Sequence, residues 1–257
     1  MAPNFTFLGM DLYTICITVG LVLTLCFVDF VCDKKGFSVA LQRGVLIAGV
    51  AAIFAGFIFA TLFQSLYNYL ETGEFRLQGM TFYGGFLGGV GFFLLLYFFV
   101  LGRFCKDSQE PKKRFSDLAN AAAVAIPMAH GFGRLGCLFS GCCYGKITDA
   151  WYAVPMQIKG AWVKAVPIQL FEAVFLFVLA GVLACLLLKG RGTLPLLPTY
   201  TCAYGIWRFF IEYARADARG ATVLSFLTPS QLTAVLLLVG GGIYYIVYYC
   251  KAQRKKR

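Results

Sequence analysis

The chain reads as an all-α integral membrane protein of seven transmembrane helices, with its N-terminus outside and its C-terminus cytoplasmic. Three observations predict this. Of 257 residues, 60% are hydrophobic and the mean hydropathy is +0.74, and several apolar runs approach the ~20 residues that a spanning helix needs. Only 14% of residues are charged, well below the ~25% of a soluble domain. The basic residues also fall in clusters between the apolar runs instead of scattering along them.

Hydropathy places the spans at Tyr13–Val31, Gly44–Tyr67, Phe82–Leu101, Leu118–Gly136, Pro167–Leu188, Leu194–Tyr213 and Pro229–Cys250. Seven spans with short loops occupy the length, so residues 1–257 form one transmembrane domain. The N-terminus carries no basic residue before Lys34 and does not fit a cleaved secretory signal, so the first span is retained. The loops assigned to the inside hold fifteen Lys and Arg residues and those assigned to the outside hold six, with two more inside spans. That asymmetry sets the orientation by the positive-inside rule.

The net charge of +11 does not signal nucleic acid, because the charges flank spans and do not line one continuous face. Of the ten cysteines, Cys16, Cys26, Cys32, Cys185, Cys202 and Cys250 lie in or beside apolar runs, where a free thiol acts as a small hydrophobe. Cys137, Cys142 and Cys143 are grouped, but their spacing is not that of structural zinc and His130 is the one further ligand nearby. No metal and no cofactor is expected; tight packing or a disulfide accounts for the group. The longest external stretch, around residues 137–166, carries Trp151, Tyr152 and Trp162 and suggests an amphipathic segment lying on the outer leaflet.

Two residues do not belong in a purely structural membrane helix. Arg134 and Arg208 interrupt apolar runs, at a cost of about 2.5–3.5 kcal/mol for arginine at the centre of a span, so such residues face a cavity and a task. A guanidinium offers a permanent charge and a planar fork of donors that matches phosphate oxygens. Tyr204, Arg208 and Glu212 follow one another at intervals of four and Arg215 comes three later, so all share one helical face. An Arg208–Glu212 pair explains how both survive burial without explaining their presence. His130, the sole histidine, stands four before Arg134, either as a proton-transfer group near neutral pH or as a packing donor. Glycines from Gly79 to Gly89 open the third span and permit close approach of a helix or a ligand.

These residues sit in a pattern that resembles the prolipoprotein diacylglyceryl transferase family. Gly133-Arg134-Leu-Gly136-Cys137-Leu-Phe-Ser140-Gly141-Cys142-Cys143-Tyr144-Gly145 is similar to that family's Gly-Arg-x-Gly-Asn-Phe-x-Asn-x-Glu-x-x-Gly. Tyr83-Gly84-Gly85 resembles its His-Gly-Gly, and Pro167-Ile-Gln169-Leu-Phe-Glu172 its Pro-x-Gln-Leu-Tyr-Glu. Tyr204-Gly-x-x-Arg208-Phe-x-x-Glu212-x-x-Arg215 is similar to its late Tyr-Gly-x-x-Arg-Phe-x-x-Glu-x-x-Arg, and Tyr13 is aligned with a tyrosine of the first span. The resemblance implies transfer of the diacylglyceryl group of phosphatidylglycerol to the thiol of a prolipoprotein lipobox cysteine, in a bacterial inner membrane with the site toward the outer leaflet. It implies Arg134 and Arg208 on the lipid phosphate, His130 and Tyr83 as candidate bases, and Tyr13, Gly84, Gly85, Cys137, Gly145, Gln169, Glu172, Tyr204, Glu212 and Arg215 around the substrate.

Tyr83 stands where the family has histidine, while Cys137, Ser140 and Cys142 stand where it has Asn, Asn and Glu. These departures leave the donor side intact and open the acceptor to a glycan or a lipid. A transporter of anionic lipid using the same arginines is the competing non-enzyme reading; the sequence shows no internal repeat of the kind that many transporters carry.

Overall fold

In the computed structural model, which describes residues 6–7, 9–73, 75–158, 160–190, 195–216 and 227–254, the apolar runs are helical. The helices are α1 (Leu12–Lys34), α2 (Val39–Thr72), α3 (Phe82–Leu95), α4 (Glu110–Ser140), α5 (Ile168–Leu188), α6 (Leu196–Ile211) and α7 (Pro229–Arg254). Among the described residues, six helices are long and apolar enough to cross a membrane: Leu12–Lys34, Val39–Leu70, Gly84–Arg103, Glu110–Ser140, Ile168–Leu188 and Pro229–Cys250. The protein is therefore a mostly helical, multi-pass membrane protein. The expected span Leu194–Tyr213 is helical for 16 residues, which is about 24 Å at 1.5 Å per residue against a ~30 Å hydrocarbon core. Leu194 itself lies outside the described residues.

Helix α4 begins at Glu110, not at Leu118, and ends at Ser140, not at Gly136. Hydropathy sees the apolar stretch alone, whereas the charged turn with Lys112, Lys113, Arg114 and Asp117 continues the same backbone hydrogen bonding into water. Helix α2 is likewise longer than its apolar run. Ser38 caps its first turn by accepting from the Leu41 amide, and Glu110 holds Ser38 through the backbone N–H at 2.8 Å and the hydroxyl at 2.6 Å.

The chain divides into two units, Val28–Leu118 and Met1–Phe27 with Ala119–Arg257. In the first, α2 and α3 meet through small residues. A Cβ on Gly84 would lie 2.6 Å from the Phe63 Cβ and 2.8 Å from the Phe59 carbonyl, and one on Gly85 would lie 3.2 Å from the Gly56 carbonyl. Only glycine permits this approach of backbone to backbone. After Leu95 the helix loosens into a π turn, Leu96–Val100, that turns Tyr97 fully inward, where its hydroxyl donates to the Pro111 carbonyl at 2.7 Å. Cys32, Phe37, Leu41, Val45, Tyr97, Leu101 and Leu118 form the core of this unit.

The second unit contains the departure from an all-helical expectation. In the stretch around residues 137–166, where an amphipathic segment was expected, α4 runs on to Ser140 and strands β3 (Val154–Ile158) and β4 (Ala161–Ala165) pair antiparallel from Val154↔Ala165 to Ile158↔Ala161. The physical reason is period-two patterning: Met156 and Ile158 face inward while Pro155 and Gln157 do not. The buried face packs on Leu138 at the end of α4. Trp151 and Trp162 remain outside, 95% and 60% exposed. A shorter pair, β1 (Thr6–Phe7) with β2 (Met10–Asp11), precedes α1.

Candidate active site

Three helices of the second unit converge on one carboxylate. Helix α5 contributes Glu172, 1% exposed, which hydropathy hides inside an apolar span. Helix α6 brings Tyr204 and Arg208 one turn apart, and the Tyr204 hydroxyl donates to Glu172 Oε1 at 3.0 Å. Arg208 Nη1 donates to Glu172 Oε2 at 3.4 Å. Helix α4 brings His130 and Arg134, and Arg134 Nε lies 3.0 Å from Glu172 Oε2. The same Nε donates to His130 Nε2 at 3.3 Å, so the neutral imidazole carries its proton on Nδ1. His130 Nε2 stands 3.9 Å from Glu172 Oε1, and its ring packs edge-on against Tyr204 with centroids 5.2 Å apart.

The expected Arg208–Glu212 pair forms, with Nη2 3.1 Å from Oε2. Arg208 Nη2 also donates to Ser230 Oγ at 2.9 Å, and Glu212 Oε1 accepts from the Thr228 hydroxyl at 2.9 Å. Arg215 Nε lies 4.0 Å from Glu212 Oε2. Arg208 is thus engaged on both terminal nitrogens and ties α5, α6 and α7 together. Arg134 is engaged at Nε, and its terminal nitrogens make no hydrogen bond among the described residues. Three guanidinium groups and two carboxylates share this buried network, leaving one positive charge in excess. Such a surplus, desolvated and held by fixed donors, fits an anionic ligand.

The signature segment folds against the same region. Helix α4 closes with the Cys142 amide donating to the Cys137 carbonyl at 3.2 Å. Gly141 then turns the chain with φ 69°, where a Cβ would strike the Gln157 carbonyl. Gly145 bridges Arg215, and its amide donates to the Val166 carbonyl at 3.0 Å. Gln169, fully buried, donates to the Cys142 carbonyl at 2.6 Å. The turn therefore has supports from α5, β3 and the end of α6. Tyr13 on α1 lies against Gly136, where a Cβ would come within 3.0 Å of its ring. All ten cysteines are free. The Cys142 thiol donates to the Cys137 carbonyl at 3.7 Å, and the Cys137, Cys142 and Cys143 sulfurs lie within 4.8 Å of one another.

Of the residues singled out in the sequence, the structure gathers His130, Arg134, Glu172, Tyr204, Arg208, Glu212 and Arg215 into one network. Gly145, Gln169, Cys137 and Tyr13 shape the adjoining segment. Gly84 and Gly85 belong to the other unit, where they serve the contact of α3 with α2; the Tyr83 side chain lies outside the described residues. Ser230 and Thr228 were not anticipated, although Thr228-Pro-Ser-Gln231 spells a capping box, with Gln231 N–H donating to Thr228 Oγ1 at 3.2 Å and Thr228 N–H to Gln231 Oε1 at 3.1 Å.

Helices of membrane-crossing length and a buried arginine–glutamate network define a multi-pass membrane protein with charge gathered inside its helices. The chain belongs to the prolipoprotein diacylglyceryl transferase family, whose model matches residues 2–248. It is 30% identical over 181 residues to phosphatidylglycerol–prolipoprotein diacylglyceryl transferase 2 of Clostridium perfringens, covering 69% of this chain and 66% of that protein. Phosphatidylglycerol–prolipoprotein diacylglyceryl transferase of Clostridium tetani is 25% identical over 235 residues, 89% of either chain. That of Pseudomonas entomophila is 30% identical over 214 residues, covering 78% of this chain and 71% of the relative. The match thus spans just under two thirds of the first relative's length.

Proposed function

We infer that the protein transfers the diacylglyceryl group of phosphatidylglycerol to the thiol of a prolipoprotein lipobox cysteine and releases glycerol phosphate. One observation carries this reading: a buried network with one surplus positive charge, in which the terminal nitrogens of Arg134 have no hydrogen-bond partner among the described residues. A phosphodiester carries one negative charge and presents two oxygens to such a fork. As the carbon–oxygen bond of the donor breaks, charge grows on the departing phosphate, and a preorganised guanidinium in a water-poor site stabilises it. Arg208 and Glu172 hold that guanidinium in place, with Tyr204 and His130 positioning Glu172 and Arg134. Seven spans with the N-terminus outside, a location in the bacterial inner membrane and a site toward the outer leaflet complete the reading; the distribution of basic loops supports them.

Incubating the purified protein with labelled phosphatidylglycerol and a lipobox peptide is expected to yield thioether-linked peptide and glycerol phosphate in equal amounts. A second reading is favoured by Tyr83, Cys137, Ser140 and Cys142, which replace the family's polar residues: the same donor with a glycan or lipid acceptor. Glycerol phosphate released with such an acceptor, and no lipidated peptide, would establish it. Movement of intact phosphatidylglycerol between vesicle leaflets, without glycerol phosphate, would replace both readings with transport.

A further inference from the structure

We propose that Cys137, Cys142 and Cys143 form a three-thiolate site for a thiophilic divalent cation, with zinc the metal that the donors fit and a fourth position open to a thiol. The three sulfurs all lie within 4.8 Å of one another. Around zinc, with metal–sulfur bonds of about 2.3 Å, thiolates stand roughly 3.8–4.0 Å apart, so the cluster closes on the metal by movements of about 1 Å. The linear spacing argues against a zinc site because no hairpin of two Cys-x-x-Cys knuckles is present. The fold removes that objection. Cys137 occupies the last turn of α4, Gly141 reverses the chain, and Cys143 adopts φ 59°, a left-handed conformation uncommon for a side chain with a Cβ. That local strain brings the third sulfur back toward the first two. Strain of this kind persists where surrounding contacts enforce it and gathers at functional sites; here Gln169 on the Cys142 carbonyl and the Gly145–Arg215 bridge do the enforcing.

The donor set suits the metal. Soft thiolates select zinc and copper(I) over magnesium and calcium. Three protein ligands with an open position characterise catalytic zinc, whereas structural sites are closed by four. Zinc with three thiolates carries one net negative charge, and the Arg215 guanidinium faces Cys143. Cys142 is exposed while Cys137 and Cys143 are half-buried, so the open position is within reach of a substrate. The role of that position rests on the transferase reading; metal binding does not. An acceptor thiol entering it releases its proton to solvent and becomes a zinc-held thiolate. The sulfur then forms a bond to the glyceryl carbon that carries the phosphate as the carbon–oxygen bond breaks, and the electron pair leaves with glycerol phosphate. Tyr83, a phenol where the family has an imidazole, then need not act as a base.

The test uses the full chain, purified with its thiols reduced and titrated with Co2+ as a probe of the zinc site. One equivalent is expected to bind with sulfur-to-cobalt charge-transfer absorption, to be displaced by Zn2+, and to weaken about 10–100-fold or more in Cys143→Ser or Cys137→Ser. Cys26→Ser and Cys185→Ser, at exposed thiols elsewhere, should leave binding unchanged. Should the Cys143 or Cys137 variants not fold, X-ray absorption of the zinc-loaded wild type counts the ligands: about three sulfurs at ~2.3 Å, rising to four with a cysteine lipobox peptide but not with its serine counterpart. Absence of stoichiometric metal uptake by the reduced protein, a charge-transfer band indifferent to Cys143→Ser, or a zinc shell without sulfur overturns the site. A sulfur count unchanged by the cysteine peptide overturns the open thiol position. Metal bound as expected with no lipidated peptide formed counts against the transferase reading and leaves the metal site standing.

Discussion

The network around Glu172 and the contact of α2 with α3 are both tightly packed, yet they are held by opposite means. The first is built from buried charge. Glu172 is 1% exposed and is satisfied by three partners from two helices. The second holds no charge and depends on what is missing, the side chains of Gly56, Gly84, Gly85, Gly88 and Gly89. In a membrane, glycine contacts give adhesion at little cost, because backbones approach and dispersion replaces lipid contact. Buried charge gives adhesion badly, since desolvation offsets much of the attraction. The chain thus keeps three arginines and two glutamates in one buried region and glycines in the other.

The comparison can be broken at either end. Glu172→Ala should have the largest effect. Removing one partner of a buried charged network costs about 3–5 kcal/mol, because Arg134 and Arg208 lose their common counter-charge. Both thermal stability in detergent and turnover should collapse, and a variant with near-normal melting would refute the hub role of Glu172. Arg134→Gln should lower turnover about 10²–10³-fold, the loss typical of one preorganised donor, and should lower melting less than Arg208→Gln does, because Arg134 pairs with Glu172 through Nε alone. Arg208→Gln should cost both activity and stability, since that residue also binds Ser230 and Glu212. Equal melting temperatures for the two arginine variants would erase the distinction drawn between them.

On the other side, Gly88→Ala drives a Cβ into the Phe59 ring and should cost about 1–3 kcal/mol by overpacking. Turnover per folded molecule should not change; a loss of turnover at normal stability would mean that the glycine stripe serves the reaction. The smallest effect is expected at the surface of α4. Lys113 bonds Asp107 at 2.7 Å and, with the Gln109 amide, holds its carboxyl below the usual carboxylate range. A depressed carboxyl stabilises the fold above its unfolded value and loses that contribution as pH falls through the folded one. Asp107→Asn should therefore melt only slightly below wild type at neutral pH, with the gap closing in acid and in high salt. A gap that widened in acid would reverse the sign of this assignment.

Legibility followed locality. The apolar runs identified the helices because hydropathy is a sum over neighbours, and the Arg208–Glu212 pair was readable because spacing four puts Glu212, which caps α6, on the same face as Arg208. Helix α4 was underestimated at both ends, since a helix that leaves the membrane keeps its hydrogen bonds while losing the apolar signal. The alternation in Val154–Ile158 was present but short, and the external position of the tryptophans drew attention to the membrane surface instead. The linear spacing of the three cysteines does not show how close their sulfurs come, because two left-handed residues, Gly141 and Cys143, reverse the chain between them.

By itself the sequence determined the membrane class, the helices, the family and the identity of the charged residues, because composition, periodicity and motif order are properties of the chain. Tertiary structure alone decided that Glu172 is the common partner of both arginines, that Arg208 is engaged where Arg134 is open, and that three thiols face one another. Those facts depend on which helices meet and on how a turn aims its side chains, and no local pattern encodes a distance between residues 38 or 36 positions apart.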